Sequence, residues 1–452
     1  MLKLTLSEIA QAVNGKLNQT QYENLTITSV STDSRSVTEG QLFVALKGDI
    51  FDGHEYIDKA YESGAVCVIT QKGIITDKPY ILVESTKYAL LDLAAYYKGK
   101  FDIPVVAVTG SVGKTTTKDM IASVLSTGYN VLKNRGNFNN EIGLPLTVFE
   151  IEKGTEIAVL EMGMNSFGEI RNLSRVATPE VCVITNIGDA HIGLLGSRGN
   201  ILKAKSEIFD FADKDCIPVL NGDDILLRTV DCYKGNTVFY GLSDNNDCKA
   251  KKLKDNGFNG TKWEVIYNGE ILIIDIPFPG DYLIYNAMAA VCCGKIYDIK
   301  NEDIEGGIRE FKPSQNRMDR FVTQSGIAVI NDVYNSSPDS VKAMIGTFEN
   351  VTGRKACILG DMLELGDKSQ ILHSDIGAFA AGKVALAVFI GKEAYNMYLA
   401  YNQSGGLGGF YYKDLEEFLR DGLDLLQSGD TVLVKASRGM RFEKIVNKLK
   451  VC

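Results

Sequence analysis

The chain holds nine cysteines in 452 residues, yet no two stand in C-x-x-C spacing. So scattered and odd a count fits neither a disulfide framework nor a zinc site, and it suits free thiols in a reducing compartment. No apolar run approaches the ~20 residues that a bilayer requires. The opening "MLKLTLSEIAQAVNG" reads as a short amphipathic helix without the apolar core of a signal peptide. Basic charge is also in deficit, with 48 Lys and Arg against 57 Asp and Glu and a net charge of −9. That balance argues against a nucleic-acid partner, although a local basic pocket for an anionic small molecule remains compatible with it. A cytoplasmic protein without membrane insertion is expected. Neither an internal repeat nor a low-complexity tail is present.

What is there divides into three textures, in line with roughly 150 residues per domain. Residues 1–100 mix short strands and helices around the turn-rich "STDSRSVTEGQLFVALKGDIFDGHEYI". Residues 101–312 begin with "VVAVT", "IAVLEMG" and "VCVITNIG", apolar runs without polar alternation, as in parallel strands covered on both faces. This block then turns antiparallel. In "KWEVIYNGEILIIDIP" the pair Asn268-Gly269 predicts a hairpin, because both turn positions favour positive φ. The helical pattern "YLIYNAMAAVCCGKIY" closes it. Residues 313–452 repeat strand then helix through "IAVIND", "ACILGD", "ALAVFIG", "GFYY" and "TVLVKAS", predicting a doubly wound α/β domain. "NQSGGLGG" within it reads as a loop.

The chemistry begins at "VVAVTGSVGKTTTKDMI", residues 105–121. A strand, a glycine turn and a helix start lie in sequence. Gly110 and Gly113 let backbone N–H groups converge on an anion, and the helix adds its positive end. Lys114 would neutralise phosphates and Thr115 would offer a hydroxyl to Mg²⁺. Val108 stands where the common phosphate loop has glycine, so a shorter loop is expected. The bland reading, a turn with a solvated lysine, is disfavoured by this context. Glu161 follows an apolar strand in "IAVLEMGMN", the place for a metal ligand or equally for a helix cap. His191, one of only three histidines, lies beyond another strand end in "VITNIGDAHIGLLGS". In "NILKAKSEIF", Lys203 and Lys205 fall about 200° apart on a helix and cannot share a face.

Taken together, "TGSVGKTTTK", "NFNNEIGLPLTV", "LEMGMN", "TNIGDAHIG" and "KAKSEIF" resemble the Mur ligases, which build the peptide stem of the bacterial cell wall. The short loop T-G-x-x-G-K-T is that family's form. The resemblance extends over nearly the whole chain through "STDSRSVTEGQLFVALKGDIFDGH", "NDVYNSSPDS", "GDMLELGDKS" and "VKASRGMRFEKIV". It implies three domains: a small mixed α/β uridine-binding domain, a central P-loop ATPase-like parallel sheet with an antiparallel extension, and a C-terminal Rossmann-like domain that binds the acceptor and closes on ATP.

The C-terminal motifs narrow the implied reaction to joining D-alanyl-D-alanine to a UDP-N-acetylmuramoyl-tripeptide through an acyl phosphate. By the same resemblance, ATP is held by Thr109, Gly110, Ser111, Val112, Gly113, Lys114, Thr115 and Thr116, with Asn286, Arg317, Asp332 and Tyr334. Two Mg²⁺ sites are implied, with Thr115, Glu161, His191 and Lys205 as ligands and Lys205 carbamylated. Lys114 and Arg317 join Glu161, His191 and Lys205 as the residues carrying catalysis. Ser34, Arg35 and Lys47 match uridine-site positions, Asn139 and Asn140 lie along the peptide substrate, and Asp361 or His373 would orient the attacking amine. A monomer is expected.

Three competing readings were weighed. A folylpolyglutamate synthetase-like ligase would lack the uridine domain. A P-loop GTPase would carry N-K-x-D, which is missing from the sequence. A non-catalytic scaffold would not fill every metal position.

Overall fold

The computed structural model describes residues 2–48, 51–231, 236–351 and 353–451. They form two compact units. The first comprises Met1–Ala107, Tyr129–Cys182 and Glu207–Cys216. Its five-stranded sheet runs in the order Lys16–Leu17, Tyr80–Leu82, Cys67–Thr70, Gln41–Val44, Ser29–Ser31. The last four strands pair in parallel and the first is antiparallel. Cys67–Thr70 is buried throughout, as a strand covered on both faces must be. Phe43, Ile57, Ala60, Tyr61 and Val68 form one core layer. The predicted N-terminal helix is Leu6–Ala12. It opens with a capping box, in which Glu8 N donates to Thr5 Oγ1 at 3.2 Å and Thr5 N to Glu8 Oε2 at 2.9 Å. The same unit pairs Val131–Lys133 in parallel with Ile157–Glu161, whose five residues are all buried.

The second unit comprises Val108–Gly128, Val183–Ser206 and Ile217–Cys452. Ile217–Asn221, Val238–Gly241 and Cys248–Asp255 pair in parallel, after which Thr261–Tyr267 and Glu270–Ile276 add antiparallel strands. The expected hairpin is present, with φ of 49° at Asn268 and 81° at Gly269. The apolar helix Leu283–Ile296 lies against the helix Lys114–Leu125, where a Cβ on Gly294 would sit 2.9 Å from Val124 Cγ1.

A six-stranded sheet completes this unit, in the order Asp319–Val322, Ala328–Asn331, Asp430–Lys435, Arg354–Gly360, Leu386–Ile390, Gly409–Tyr412. All neighbours are parallel except the first pair. The strand latest in sequence, Asp430–Lys435, is inserted between two earlier ones, so the winding reverses there. Crevices at the carboxyl ends of strands beside such a reversal are where open α/β sheets take ligands. Asp332, Asp361 and Lys435 stand at those ends.

Candidate active site

The strand Val105–Thr109 leads through Gly110–Gly113 into the helix Lys114–Leu125. Gly110 takes φ 146° and Gly113 φ 86°, and a Cβ on Gly110 would fall 1.9 Å from Thr185 Oγ1. The loop is strapped from outside by Thr185–Gly188. Ser111 N donates to Asn186 O at 3.0 Å, Val112 N to Asn186 Oδ1 at 2.9 Å, and Gly188 N to Ser111 Oγ at 2.9 Å. Thr185 Oγ1 and Asn186 Nδ2 both donate to Val112 O, at 2.6 and 3.0 Å. The sequence motif "TNIGDAHIG" therefore does more than carry His191: its first residues hold the phosphate loop in shape.

Two lysines converge on one carbonyl. Lys114 Nζ donates to Gly110 O at 2.9 Å, and Lys205 Nζ to the same oxygen at 2.8 Å. Lys205 sits on Arg198–Ser206 and is fully buried, whereas Lys203 is exposed, as the helical spacing requires. Burial, with the neighbouring Lys114 charge second, holds the Lys205 amine well below the usual lysine range. It is a neutral-amine candidate inside the site.

One cavity of about 260 Å³ brings together Ser111–Thr116, His191, Asn286, Arg317, Asp332, Glu364, Lys435 and Arg438. Asn286 Nδ2 donates to Thr117 Oγ1 at 2.6 Å and to Gly113 O at 3.3 Å, fixing the helix Leu283–Ile296 to the loop. The Arg317 guanidinium lies 4.0 Å from the centre of the Tyr334 ring. Asp332 is ion-paired with Lys435, which also donates to Asn335 O at 2.8 Å. His191 takes φ 63°, and its Nδ1 stands 3.0 Å from Glu364 Oε2. Lys435 and Glu364 escaped sequence reasoning; the placement of "VKAS" and "GDMLELG" after strands was the available signal.

Asp361 and His373 do not line this cavity. His373 is fully buried. Its Nε2 accepts from Met362 N at 3.0 Å, its Nδ1 lies 2.7 Å from Ser369 O, and burial lowers its pKa. A ring engaged at both nitrogens holds the loop after Arg354–Gly360 and leaves no atom for an amine. Asp361 Oδ1 accepts from Ala394 N at 2.7 Å, and burial raises its pKa.

The remaining expected residues lie in the other unit. Glu161 is buried, and Asn139 Nδ2 donates to its Oε1 at 2.7 Å. Asn134 grips Glu161 from both sides of its backbone, accepting from its N–H at 2.9 Å and donating to its carbonyl at 3.0 Å. Asn140 Oδ1 accepts from Gly143 N, the first residue of the helix Gly143–Val148, at 2.8 Å. Ser34 is buried, Arg35 is exposed and paired with Asp33 at 2.7 Å, and Lys47 forms a backbone bridge with Asp52. Among the described residues, no group of three or more His, Cys, Asp or Glu is placed to hold a metal.

A strapped phosphate loop opening onto the switch-point crevice of a doubly wound sheet defines an ATP-handling α/β enzyme. The chain belongs to the Mur ligase family: residues 26–106 match the Mur ligase family catalytic domain, 108–294 the Mur ligase middle domain, and 316–438 the Mur ligase glutamate ligase domain. It is 41% identical to the UDP-N-acetylmuramoyl-tripeptide–D-alanyl-D-alanine ligase of Bacillus subtilis, with 99% of each chain covered. The fold has the family's three-domain α/β form. It is similar to MurF from Acinetobacter baumannii with a TM-score of 0.92 and 29% identity, covering 100% and 99% of the two chains. MurF ligase from Thermotoga maritima, solved in complex with ADP, gives a TM-score of 0.84 and 31% identity, with 93% and 97% covered.

Proposed function

We propose that this protein joins D-alanyl-D-alanine to a UDP-N-acetylmuramoyl-tripeptide at the cost of ATP, as the last amide-forming step on a peptidoglycan precursor. The observation that carries the reading is the single cavity in which the phosphate loop meets Arg317, Asp332 and Lys435. In this reading the boundaries fall at 1–100 for the uridine domain, 101–312 for the ATP domain and 313–452 for the acceptor domain. Ser34, Arg35 and Lys47 take the uridine end, and Asn139 and Asn140 border the peptide. The protein works as a monomer in the cytoplasm, a placement supported by seven described cysteines that are all unbridged. Cys232 and Cys452 lie outside the described residues.

The substrate's terminal carboxylate attacks the γ-phosphorus of ATP, the bond from that phosphorus to the β-phosphate oxygen breaks, and ADP leaves. The amine of the dipeptide then attacks the acyl phosphate, and phosphate leaves with the oxygen it took from the carboxylate. Both partners of the first step are anions, so the protein's main task is to offset charge. Lys114 stands at the loop and Arg317 at the opposite wall for that purpose. Tyr334 holds the Arg317 guanidinium flat, and Asn286 keeps the loop against its helix.

The donor types, a hydroxyl, a carboxylate and an imidazole, suit a magnesium site of the kind that takes few protein ligands and completes its shell with phosphates and water. Thr115 and Glu161 would hold one ion and His191 and Lys205 a second; when bound, the ions supply positive charge at the transferred phosphoryl group. A bare ammonium at Lys205 would repel a cation. Its depressed basicity instead favours addition of CO₂ to the neutral amine, giving a carbamate and releasing one proton. Asn139 bonds the Glu161 carboxylate and Asn134 its backbone, so both fix the residue that would take that role. Asn134→Ala is expected to raise the Mg²⁺ concentration for half-maximal activity by about 10–100-fold, measured by metal titration.

The reading is tested by acceptor choice. D-alanyl-D-alanine should drive phosphate release in the presence of the tripeptide nucleotide, and single amino acids should not. A better response to D-glutamate or L-lysine would assign the protein to an earlier step.

A further inference from the structure

The cavity that faces the phosphate loop is lined by four permanent cations, Lys114, Arg317, Lys435 and Arg438, and by two carboxylates, Asp332 and Glu364. A carboxylate in an anion-binding cavity is unfavourable unless a positive charge sits on it. Lys435 supplies that charge for Asp332. Glu364 pairs with His191 Nδ1 at 3.0 Å and feels the Lys114 charge, yet its side chain is 56% exposed and open to a further cation. Arg438 has the opposite imbalance. Its guanidinium lies 5.6 Å from the centre of the Tyr334 ring, and among the described residues no carboxylate pairs with it.

The two residues stand on loops tied to each other. Leu363 N donates to Ser437 Oγ at 2.9 Å, and Ser437 N donates to Asp361 O at 3.2 Å. Glu364 is also held in a left-handed conformation, φ 67°, which is unfavourable for a non-glycine residue and persists only where the surroundings enforce it. Here the enforcement is an interlock: a Cβ on Gly193 would meet Gly366 N at 2.9 Å and Glu364 O at 3.1 Å. A half-exposed carboxylate and a guanidinium without a carboxylate partner among the described residues, on two joined loops in one cavity, are complementary to a small zwitterion.

We infer that Glu364 and Arg438 seat the incoming dipeptide, the Glu364 carboxylate taking its ammonium group and the Arg438 guanidinium its terminal carboxylate. This rests on the ligase reading above and adds the residues that select the acceptor.

The test is steady-state kinetics of the full chain with ATP and tripeptide nucleotide saturating, using D-alanyl-D-alanine and its C-terminal amide as acceptors. Glu364→Gln is expected to raise KM for the dipeptide about tenfold or more while leaving the KM for ATP within about twofold. The parent enzyme should prefer the free carboxylate over the amide by about tenfold. Arg438→Ala should abolish that preference, and Arg438→Lys should keep part of it. An unchanged preference in Arg438→Ala would overturn the Arg438 assignment. A raised Mg²⁺ requirement with an unaltered dipeptide KM in Glu364→Gln would make Glu364 a support of His191 instead. Failure of the parent enzyme to use the dipeptide at all would strike the ligase reading, whereas an active parent with silent variants strikes only this inference.

Discussion

Lys205→Ala is expected to lose activity by about 100-fold or more, and acetate or formate in the assay should restore part of it. The reasoning starts from burial. An ammonium excluded from water is strongly disfavoured, and here the Lys114 cation repels it as well. Both effects favour the neutral amine over the ammonium, and the neutral amine is the form that reacts with CO₂. Conversion to a carbamate replaces a cation by an anion with two oxygen donors, which hard Mg²⁺ prefers. Alanine removes the donor and opens space for a small carboxylate to replace it. Lys203→Ala, exposed on the same helix, should stay within about twofold of the parent. Full activity in Lys205→Ala would end the proposal.

Lys114→Ala should be the more severe change, with kcat falling on the order of 10²–10³-fold, as when one preorganised electrostatic stabiliser is removed. Lys114 Nζ bonds to Gly110 O and lies 3.3 Å from Ser111 O, so it closes the loop before any phosphate arrives. A nucleotide would compete for the same ammonium. Binding of the uridine nucleotide, read by calorimetry, should remain nearly intact because its expected contacts are Ser34, Arg35 and Lys47. Equal loss of both functions would point to unfolding or to a wrong assignment of the uridine domain.

Local pattern made much of this architecture legible. The Asn268-Gly269 hairpin, the five parallel strands of the C-terminal sheet and the strand–loop–helix at residues 105–125 all follow from periodicity and turn chemistry within a dozen residues. That Lys203 and Lys205 cannot share a face follows from helical geometry, although which of them is buried does not. Long-range pairings left no such trace. Asn134 meets Glu161 across 27 residues, Asn186 meets Val112 across 74, and Asn286 meets Thr117 across 169. Each is a small polar residue whose role exists only once the chain has folded. His373 misled for a related reason: a scarce histidine in a polar context has the chemistry of a site, yet both its nitrogens serve the backbone of its own loop and helix. Glu364 was hidden inside a motif whose distinguishing feature, a left-handed non-glycine residue against His191, is conformational.

If a carboxylate is phosphorylated before an amine displaces the phosphate, oxygen must pass from the carboxylate to phosphate. The tripeptide nucleotide is prepared with both terminal carboxylate oxygens as ¹⁸O, and the products formed with ATP and D-alanyl-D-alanine are weighed by mass spectrometry. One labelled oxygen should appear in inorganic phosphate for each amide formed, and the other should remain in the amide. Unlabelled phosphate, or label carried into AMP, would contradict the account.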